Sequence, residues 1–310
     1  RKELDQAREE LYRARQKRIP PLEDEKILVS WNGLMISAFA RAAQTLGEPE
    51  YAERAAKAAD FILTKMREMR DGKRLHRSWF EGHADGTGYI DDYAFLSQGL
   101  LDLYEATFEP RWLREAIALH DVLEQRFWDG EHGGYFMTPD DAEGLLAREK
   151  PEYDGAEPSG NSVAILNLVR LEELTTDDRY RVLAEKALGA FGSILERGPS
   201  AVPKMLTAVD FRLDTPKEII IVKPDGDASV EPMLTKLRET YLPNRVLSIA
   251  VEGKDLAEQK KLIPLLEGRI AMKGEVTAYV CEKRVCNLPT SDPGVFGKQI
   301  RTKNLWDKAS

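Results

Sequence analysis

The chain has 310 residues, 42% hydrophobic and 32% charged, a composition typical of a globular protein large enough for more than one hydrophobic core. Its net charge of −8 argues against nucleic-acid binding, because phosphate backbones are bound by basic faces, and no apolar run approaches the length of a membrane-spanning helix. The only cysteines are Cys281 and Cys286, which excludes a disulfide-rich scaffold and fits a reducing cytoplasm.

The amino-terminal segment predicts an outer helix without its inner partner. Residues 1–16 place apolar side chains at helical spacing among charged ones, as in an amphipathic helix that covers another helix. We therefore expect the chain to begin within a repeat and to be a fragment of a longer protein. Residues 17–30 are a predicted connector, because Pro20 and Pro21 stop a helix.

One pattern occurs three times, in residues 31–68, 88–127 and 159–197. A polar helix start is followed by an apolar helix, a tight turn with an aromatic residue and an amphipathic helix. Two helices per unit predict an array of helical hairpins. Buried inner helices covered by amphipathic outer helices favour an (α/α) toroid, here part of an (α/α)6 barrel. An ordinary helical bundle is the alternative.

Long connectors precede the second and third of these units, in residues 70–87 and 128–158. The first connector, which contains Asp71-Gly72, has the glycine and aromatic content of a short β-hairpin. Both lie beside the amino-terminal ends of the inner helices, so they share one rim of the toroid. Loops of this length are usually functional, and this rim is therefore the candidate site.

After Gly198 the composition changes to alternating β-branched and amphipathic segments. The predicted elements are helices over 202–213, 228–241 and 255–267 and strands over 217–222, 245–251 and 276–281. This alternation predicts a small α/β subdomain with a short parallel sheet. The predicted domains are therefore the carboxy-terminal part of a toroid in residues 1–213 and the subdomain in residues 214–310.

Two adjacent carboxylates, Asp91 and Asp92, begin the second inner helix and are the leading catalytic candidates. Neighbouring helical residues point about 100° apart, so the two cannot act as an acid/base pair across one bond. A second carboxylate has to come from elsewhere on the rim, with Glu157, Asp154 and Glu81 as candidates. The alternative is structural, with one carboxylate capping the helix and the other bonding a loop.

Five further rim residues are predicted to contact a substrate. Asn32, Ser159 and Asn161 lie at helix starts, where helix capping is the default role of small polar side chains. Trp31 and Tyr93 could stack on a sugar ring, and core packing is their alternative role. Their common position on one rim is the reason for grouping them.

His76 in the first long connector is a candidate general base, because the intrinsic pKa of histidine suits proton transfer; a solvated surface role is the alternative. No histidine spacing indicates a metal site, and residues 224–227 lack the glycines of a dinucleotide loop, so we predict neither metal nor cofactor. Cys281 and Cys286 do not form a Cys-x-x-Cys motif, and two unlinked thiols at a strand end are the default interpretation.

Four motifs in this order resemble a known family over about residues 20–295. They are Ser30-Trp31-Asn32-Gly33-Leu34-Met35-Ile36, Asp91-Asp92-Tyr93-Ala94-Phe95, Tyr153-Asp154-Gly155-Ala156-Glu157-Pro158-Ser159-Gly160-Asn161-Ser162, and Ala278-Tyr279-Val280-Cys281 followed by Cys286. The sequence resembles the carboxy-terminal half of the thioredoxin-domain-containing family that includes spermatogenesis-associated protein 20 and its bacterial relatives. The resemblance implies an amino-terminal thioredoxin-like domain, absent here, followed by an (α/α)6 toroid similar to N-acylglucosamine 2-epimerases and six-hairpin glycosidases.

Two functional hypotheses follow. In the first, the toroid binds or processes a carbohydrate at the rim, as an epimerase or a glycoside hydrolase. In the second, it is a non-catalytic scaffold that presents a protein substrate or partner to the thioredoxin-like domain of the parent chain. Neither hypothesis involves nucleic acid or a membrane.

Overall fold

A computed structural model describes residues 1–68, 74–142, 144 and 146–301. The helices are α1 (Lys2–Gln16), α2 (Val29–Leu46), α3 (Pro49–Lys65), α4 (Ile90–Thr107), α5 (Pro110–Arg126), α6 (Gly160–Thr175), α7 (Asp178–Ala190), α8 (Gly192–Arg197), α9 (Pro203–Leu213), α10 (Glu231–Arg238), α11 (Lys254–Gln259) and α12 (Pro293–Arg301). The strands are β1 (Ile27–Leu28), β2 (His76–Phe80), β3 (His83–Thr87), β4 (Lys217–Lys223), β5 (Arg245–Val251), β6 (Thr277–Glu282) and β7 (Val285–Cys286).

The helices form two layers. Helices α2, α4, α6 and α9 pack side by side in an inner layer, while α3, α5 and α7 each cover the inner helix that precedes them. This is the arrangement of helical hairpins that the three sequence units predict, and the mainly α fold of the (α/α) toroid type, followed by small sheets, is confirmed.

Helix α4 lies at the centre of this array, because its sequence is apolar on nearly every side. It contacts α2, α5 and α6, and every residue from Asp92 to Glu105 is buried. Such a helix is stable only where neighbours cover all of its faces. Its first turn, with the partly exposed Asp91, is where it reaches the rim.

The close approach of α2 to α4 depends on two glycines. A Cβ atom on Gly33 would lie 2.5 Å from the backbone nitrogen of Leu96 and 2.6 Å from the carbonyl carbon of Phe95. A Cβ atom on Gly99 would lie 2.7 Å from the carbonyl oxygen of Gly33. Because the neighbours are backbone atoms, they cannot move aside as a flexible side chain would.

We expect Gly33→Ala to lower the free energy of unfolding by about 1–3 kcal/mol, the usual cost of overpacking a tight core. The matched control is Gly189→Ala in α7, where nothing lies within 4 Å of the added Cβ atom. That variant should be unchanged or more stable by up to about 1 kcal/mol. Urea unfolding of both variants measures the difference, and equal stabilities would contradict the backbone contact.

Helix α1 forms where the sequence predicts it, with no buried residue along its length. Leu4, Leu11 and Tyr12 are 75%, 72% and 58% exposed, so its apolar stripe faces solvent. The connector from residue 17 to 26 is exposed as well. The predicted role of α1 as an outer helix therefore stays a prediction.

The predicted β-hairpin in the first long connector is confirmed. Strands β2 and β3 pair antiparallel, and β1 adds to the other side of β2. The Asp71-Gly72 pair of the same connector lies outside the described residues, as do residues 302–310 at the end of the predicted subdomain.

The second sheet has the order β5-β4-β6-β7 and corrects one expectation. Strands β4 and β5 are parallel, as predicted, but β6 pairs with β4 antiparallel. The alternation of strand and helix indicates parallel neighbours only where a full helix returns the chain to the starting edge. The predicted helix over 255–267 is also shorter: α11 ends at Gln259, and Pro264 begins a single 3-10 turn ending at Leu266, because proline cannot continue a helix.

Cys281 and Cys286 are joined by a disulfide bond, so the expectation of unlinked thiols is wrong. The two residues lie directly opposite each other in the β6–β7 hairpin. The pairing register of this hairpin, which the spacing of the cysteines does not reveal, brings them together.

One hydrophobic core runs from the inner helices to one face of the second sheet, where it includes Ile220, Val246 and Tyr279. The opposite face packs against α10 and α12 around Phe296. The division into domains at residue 214 stays a prediction. Among the described residues, no helix is both long and apolar enough to cross a membrane.

Candidate functional site

The amino-terminal ends of α4 and α6 meet at the rim, and Asp91 lies between them. The backbone nitrogen of Gly160, the first residue of α6, donates a hydrogen bond to the Asp91 carboxylate. A Cβ atom on Gly160 would lie 2.5 Å from Oδ1 of Asp91 and 2.7 Å from Ile90, so a larger residue would displace the Asp91 carboxylate or the Ile90 side chain. The glycine therefore lets the carboxylate sit directly on a helix start, where free N–H groups favour an anion.

The pKa of Asp91 is raised above its ordinary value. Burial is the largest cause, and the negative charge of Glu157 adds to it. Arg77 and the Gly160 N–H group act in the opposite direction. A carboxyl group with a raised pKa can hold a proton at higher pH than a solvated one, as a general acid must.

Glu157 and Trp31 line the same cleft as Asp91. The indole Nε1 of Trp31 donates a hydrogen bond to Oε2 of Glu157 at 3.1 Å. Trp31 remains 59% exposed, so one face of its ring is free to contact a ligand. These residues line an open cleft of about 520 Å3, which we call the rim cleft. Its lining residues are Trp31, Asp91, Pro151, Tyr153, Gly155, Ala156, Glu157, Pro158 and Ser159.

Asp92, the second carboxylate of the pair, is fully buried and points away from the cleft. It accepts hydrogen bonds from the backbone nitrogens of Ser30 and Tyr89 at 3.0 and 2.8 Å, and from Arg77 at 3.2 Å. It thereby ties the starts of α2 and α4 to strand β2. These contacts match the structural alternative that the sequence left open.

Burial of Asp92 outweighs these donors and raises its pKa to about 6 from 3.8. Because the folded state then binds a proton that the unfolded state has released, ionisation of Asp92 lowers stability as the pH rises from about 4 to about 6. The loss is on the order of 3 kcal/mol and is nearly complete about one pH unit above the pKa of the folded state. We expect Asp92→Asn to remove this fall, so the stability difference between variant and wild type should change over that range. A difference that is constant from pH 4 to 7, measured by urea unfolding, would contradict the raised pKa.

Two buried side chains hold the second long connector against the helix starts. Asp154 accepts hydrogen bonds from the backbone nitrogens of Ser159 at 2.8 Å and Lys204 at 2.7 Å, which joins the starts of α6 and α9. Asn161 exchanges hydrogen bonds with the backbone of Tyr135, accepting from its nitrogen at 2.8 Å and donating to its oxygen at 2.9 Å. Both side chains use their polar atoms within the protein.

The other predicted site residues are spread around the rim. Ser159 caps α6 by accepting from the Ser162 nitrogen, and it also lines the rim cleft. Asn32 donates to the Leu28 carbonyl oxygen, while the buried Tyr93 accepts from the Leu75 nitrogen through its hydroxyl group. His76 lies on β2 and does not line the rim cleft.

The structure thus brings together Trp31, Asp91, Glu157 and Ser159 and places Asn32, Tyr93, Asn161, Asp92 and His76 outside the lining of the rim cleft. Their predicted roles in binding and catalysis are not tested by this placement. Among the described residues, no group of three or more His, Cys, Asp or Glu side chains could hold a metal ion.

A second, larger cavity of about 1190 Å3 lies between the inner helices and the second sheet. We call it the central cavity; its charged and amide lining includes Arg41, Gln98, Asp102, Glu105, Arg170 and Lys204. Arg170 on α6 pairs with Asp102 at 2.9 Å and with Glu105 at 3.3 Å, both on α4. Gln98 and Asp102 are polar residues in the otherwise apolar helix α4, and the sequence analysis did not predict this cavity. Arg170, the single cation in the apolar helix α6, was the sequence feature that could have indicated a buried ion pair with α4.

Comparison with known proteins gives relatives in sequence and fold. No protein-family model matches the chain. The chain is similar to human spermatogenesis-associated protein 20, with 35% identity over 299 residues that cover 94% of this chain. The rat protein of the same name is equally similar, with 35% identity over 300 residues. The chain spans 38% of the length of these relatives.

Similar solved structures include cellobiose 2-epimerase from Spirochaeta thermophila, with a TM-score of 0.45 and 19% identity over 56% of this chain and 43% of the epimerase. Another is an α-mannanase of glycoside hydrolase family 76 from Bacteroides thetaiotaomicron, with a TM-score of 0.45 and 16% identity over 57% of this chain and 46% of the mannanase. Similarity at this level carries no argument about substrate or residue roles.

Proposed function

We propose that the protein binds a carbohydrate in the rim cleft and hydrolyses a glycosidic bond there, with Asp91 as general acid and Glu157 as the second carboxylate. The observation that carries the proposal is the partly buried Asp91 carboxyl group, its pKa raised by burial and by Glu157, in a cleft walled by an exposed tryptophan. Two carboxylates around one bond are what glycoside hydrolysis requires.

In the proposed reaction, protonated Asp91 gives its proton to the glycosidic oxygen as the bond to the anomeric carbon breaks. Ionised Glu157 either takes a proton from the attacking water or bonds to the anomeric carbon, and water then completes hydrolysis. The Trp31 indole N–H group holds one Glu157 oxygen and leaves the other for this step. The exposed face of Trp31 supplies a surface on which a sugar ring stacks.

Hydrolysis is favoured over epimerisation because the rim cleft offers two carboxylates, whereas His76, the predicted base for epimerisation, does not line it. The scaffold hypothesis, with a thioredoxin-like domain as partner, stays a prediction that no described contact favours.

The direct test is incubation of the protein with a panel of neutral and acidic oligosaccharides, with products followed by proton NMR. We expect new reducing ends from at least one glycan, and the anomer that forms first identifies whether Glu157 acts as base or nucleophile. A sugar whose configuration at C2 changes without cleavage of the glycosidic bond would show that the reaction is epimerisation and not hydrolysis. Unchanged glycans throughout the panel would overturn the proposal.

A further inference from the structure

The central cavity contains acids that the protein neutralises itself. Asp102 and Glu105 pair with Arg170, and Glu105 also pairs with Arg245 from β5 at 3.2 Å. The carboxylate of Asp210, at the edge of the cavity, accepts a hydrogen bond from Asn244 at 2.8 Å. The charges of Asp102 and Glu105 are therefore balanced by Arg170 and Arg245, whereas Asp210 is hydrogen-bonded by a neutral amide.

Two cations that line the same cavity, the half-buried Lys204 and the exposed Arg41, are not neutralised in this way. Within the described part of the chain, neither the Arg41 guanidinium nor the Lys204 ammonium group has a hydrogen bond or a close ion pair. They are near enough to repel each other: burial is the largest cause that lowers the pKa of Lys204, to about 8, and the charges of Arg41 and Arg170 lower it further. Asp102 and Asp154 act in the opposite direction without cancelling the effect.

The buried Gln98 provides a third unused group. Its side-chain nitrogen donates to the Ser37 hydroxyl oxygen at 3.1 Å, and that hydroxyl group in turn donates to Asp102 at 2.5 Å. This chain of bonds fixes the orientation of the amide. Its carbonyl oxygen has no hydrogen-bond partner among the described residues, although Gln98 is only 6% exposed. An unpaired buried acceptor costs free energy that a ligand donor recovers.

We propose that the central cavity binds the anionic unit of an acidic carbohydrate, a sugar carboxylate or sugar phosphate, with its negative charge between Arg41 and Lys204 and a hydroxyl group donating to Gln98. The proposal rests on the proposed function for the carbohydrate part and adds the substrate class. Gln98 follows Asp91 by two helical turns, about 10 Å along α4, so the central cavity and the rim cleft each include a residue of the same inner helix. A neutral sugar would leave the half-buried Lys204 ammonium group without a counter-ion.

Isothermal titration calorimetry at pH 7 tests this with D-glucuronate, D-glucose 6-phosphate, D-glucose and inorganic phosphate. We expect one of the two acidic sugars to bind at least about tenfold more tightly than glucose, the value of one charge-assisted hydrogen bond. The acidic sugar that binds shows whether the cavity recognises a sugar carboxylate or a sugar phosphate. Binding should weaken with added salt and as the pH rises through 8, where Lys204 loses its proton.

Lys204→Met and Arg41→Gln should each weaken binding of the acidic sugar about tenfold or more. Arg181→Gln on the outer helix α7 makes the same change in net charge far from the cavity and should leave it unaltered. Thermal unfolding verifies that the variants fold. The proposal would be overturned if glucose and both acidic sugars bound equally, or if none of them bound. It would also be overturned if both variants retained binding of the acidic sugar, or if inorganic phosphate bound as tightly as the acidic sugar.

The two proposals fail separately. Hydrolysis of neutral glycans with no preference for an acidic unit would remove the central-cavity proposal and leave the proposed function. Conversely, tight binding of an acidic sugar that depends on Arg41 and Lys204, without cleavage of any acidic oligosaccharide, would remove hydrolysis and leave the binding site.

Discussion

Replacing Asp91 with asparagine should lower kcat for glycan hydrolysis about 10²–10⁴-fold, the usual contribution of a general acid. Asparagine keeps the shape of the side chain and still offers an oxygen to the Gly160 N–H group, so the start of α6 is preserved. It carries no transferable proton. The loss should therefore appear in kcat rather than in binding or folding.

The pH profile gives this prediction its sharpest form. Activity of the wild-type protein should fall on the alkaline side as Asp91, whose pKa is raised, loses its proton. Glu157→Gln should move the alkaline fall of any residual activity to lower pH, because the Glu157 charge helps to raise the pKa of Asp91. A structural role for either residue would not produce this shift.

The control is Glu131→Gln, which removes a carboxylate from the same long connector at a position that is 83% exposed. It should retain full activity. If Asp91→Asn also kept activity within about twofold of wild type, proton donation by Asp91 would be excluded.

Arg170→Met should lower the free energy of unfolding by about 3–5 kcal/mol, because removing one member of a buried ion-pair network leaves uncompensated charge. The side chains of Arg170, Asp102 and Glu105 are 10%, 4% and 6% exposed, so water cannot replace the lost partner. The network also joins α4 to α6, the pair of helices at the centre of the inner layer. Denaturant unfolding measures the change.

Two further variants isolate the cause. Arg181→Met removes a cation that pairs with the exposed Asp178 and Glu185 on α7 and, at 4.0 Å, with Glu172 on α6, and should cost less than about 1 kcal/mol. Neutralising the stranded acids by adding Asp102→Asn and Glu105→Gln to Arg170→Met should recover part of the lost stability. A triple variant as unstable as the sum of the single changes would instead assign the effect to packing.

The helical array could be predicted from the sequence because the apolar residues of its helices recur at a regular spacing. The expected strand over 245–251 matches β5, and the polar start, turn and outer helix of each unit lie close to their expected bounds. The direction of β6 and the disulfide depend on which strands become neighbours, a long-range outcome that local pattern does not contain. Pro264, by contrast, was a readable local signal that the expected helix over 255–267 would end early.

The candidate site could be predicted from the sequence only in part, because it too depends on which elements become neighbours in the fold. Asp91 and Asp92 are neighbours in the sequence, but Asp91 lines the rim cleft and Asp92 is fully buried. What separates them is the 100° rotation between neighbouring helical residues and the position of α6, which no spacing along the chain specifies. Arg41 and Lys204, more than 160 residues apart in the chain, meet across the central cavity for the same reason.

The hydrogen bonds that Asp92, Asp154 and Asn161 make to backbone groups have a consequence for the thermodynamics of ligand binding. They fix the helix starts and the second connector when the chain folds, so the conformational entropy of those segments is already lost before a ligand arrives. The rim cleft is in this sense preorganised. Its backbone should superimpose in free and ligand-bound crystals, and little of the interaction energy of a bound sugar should be consumed in ordering the protein.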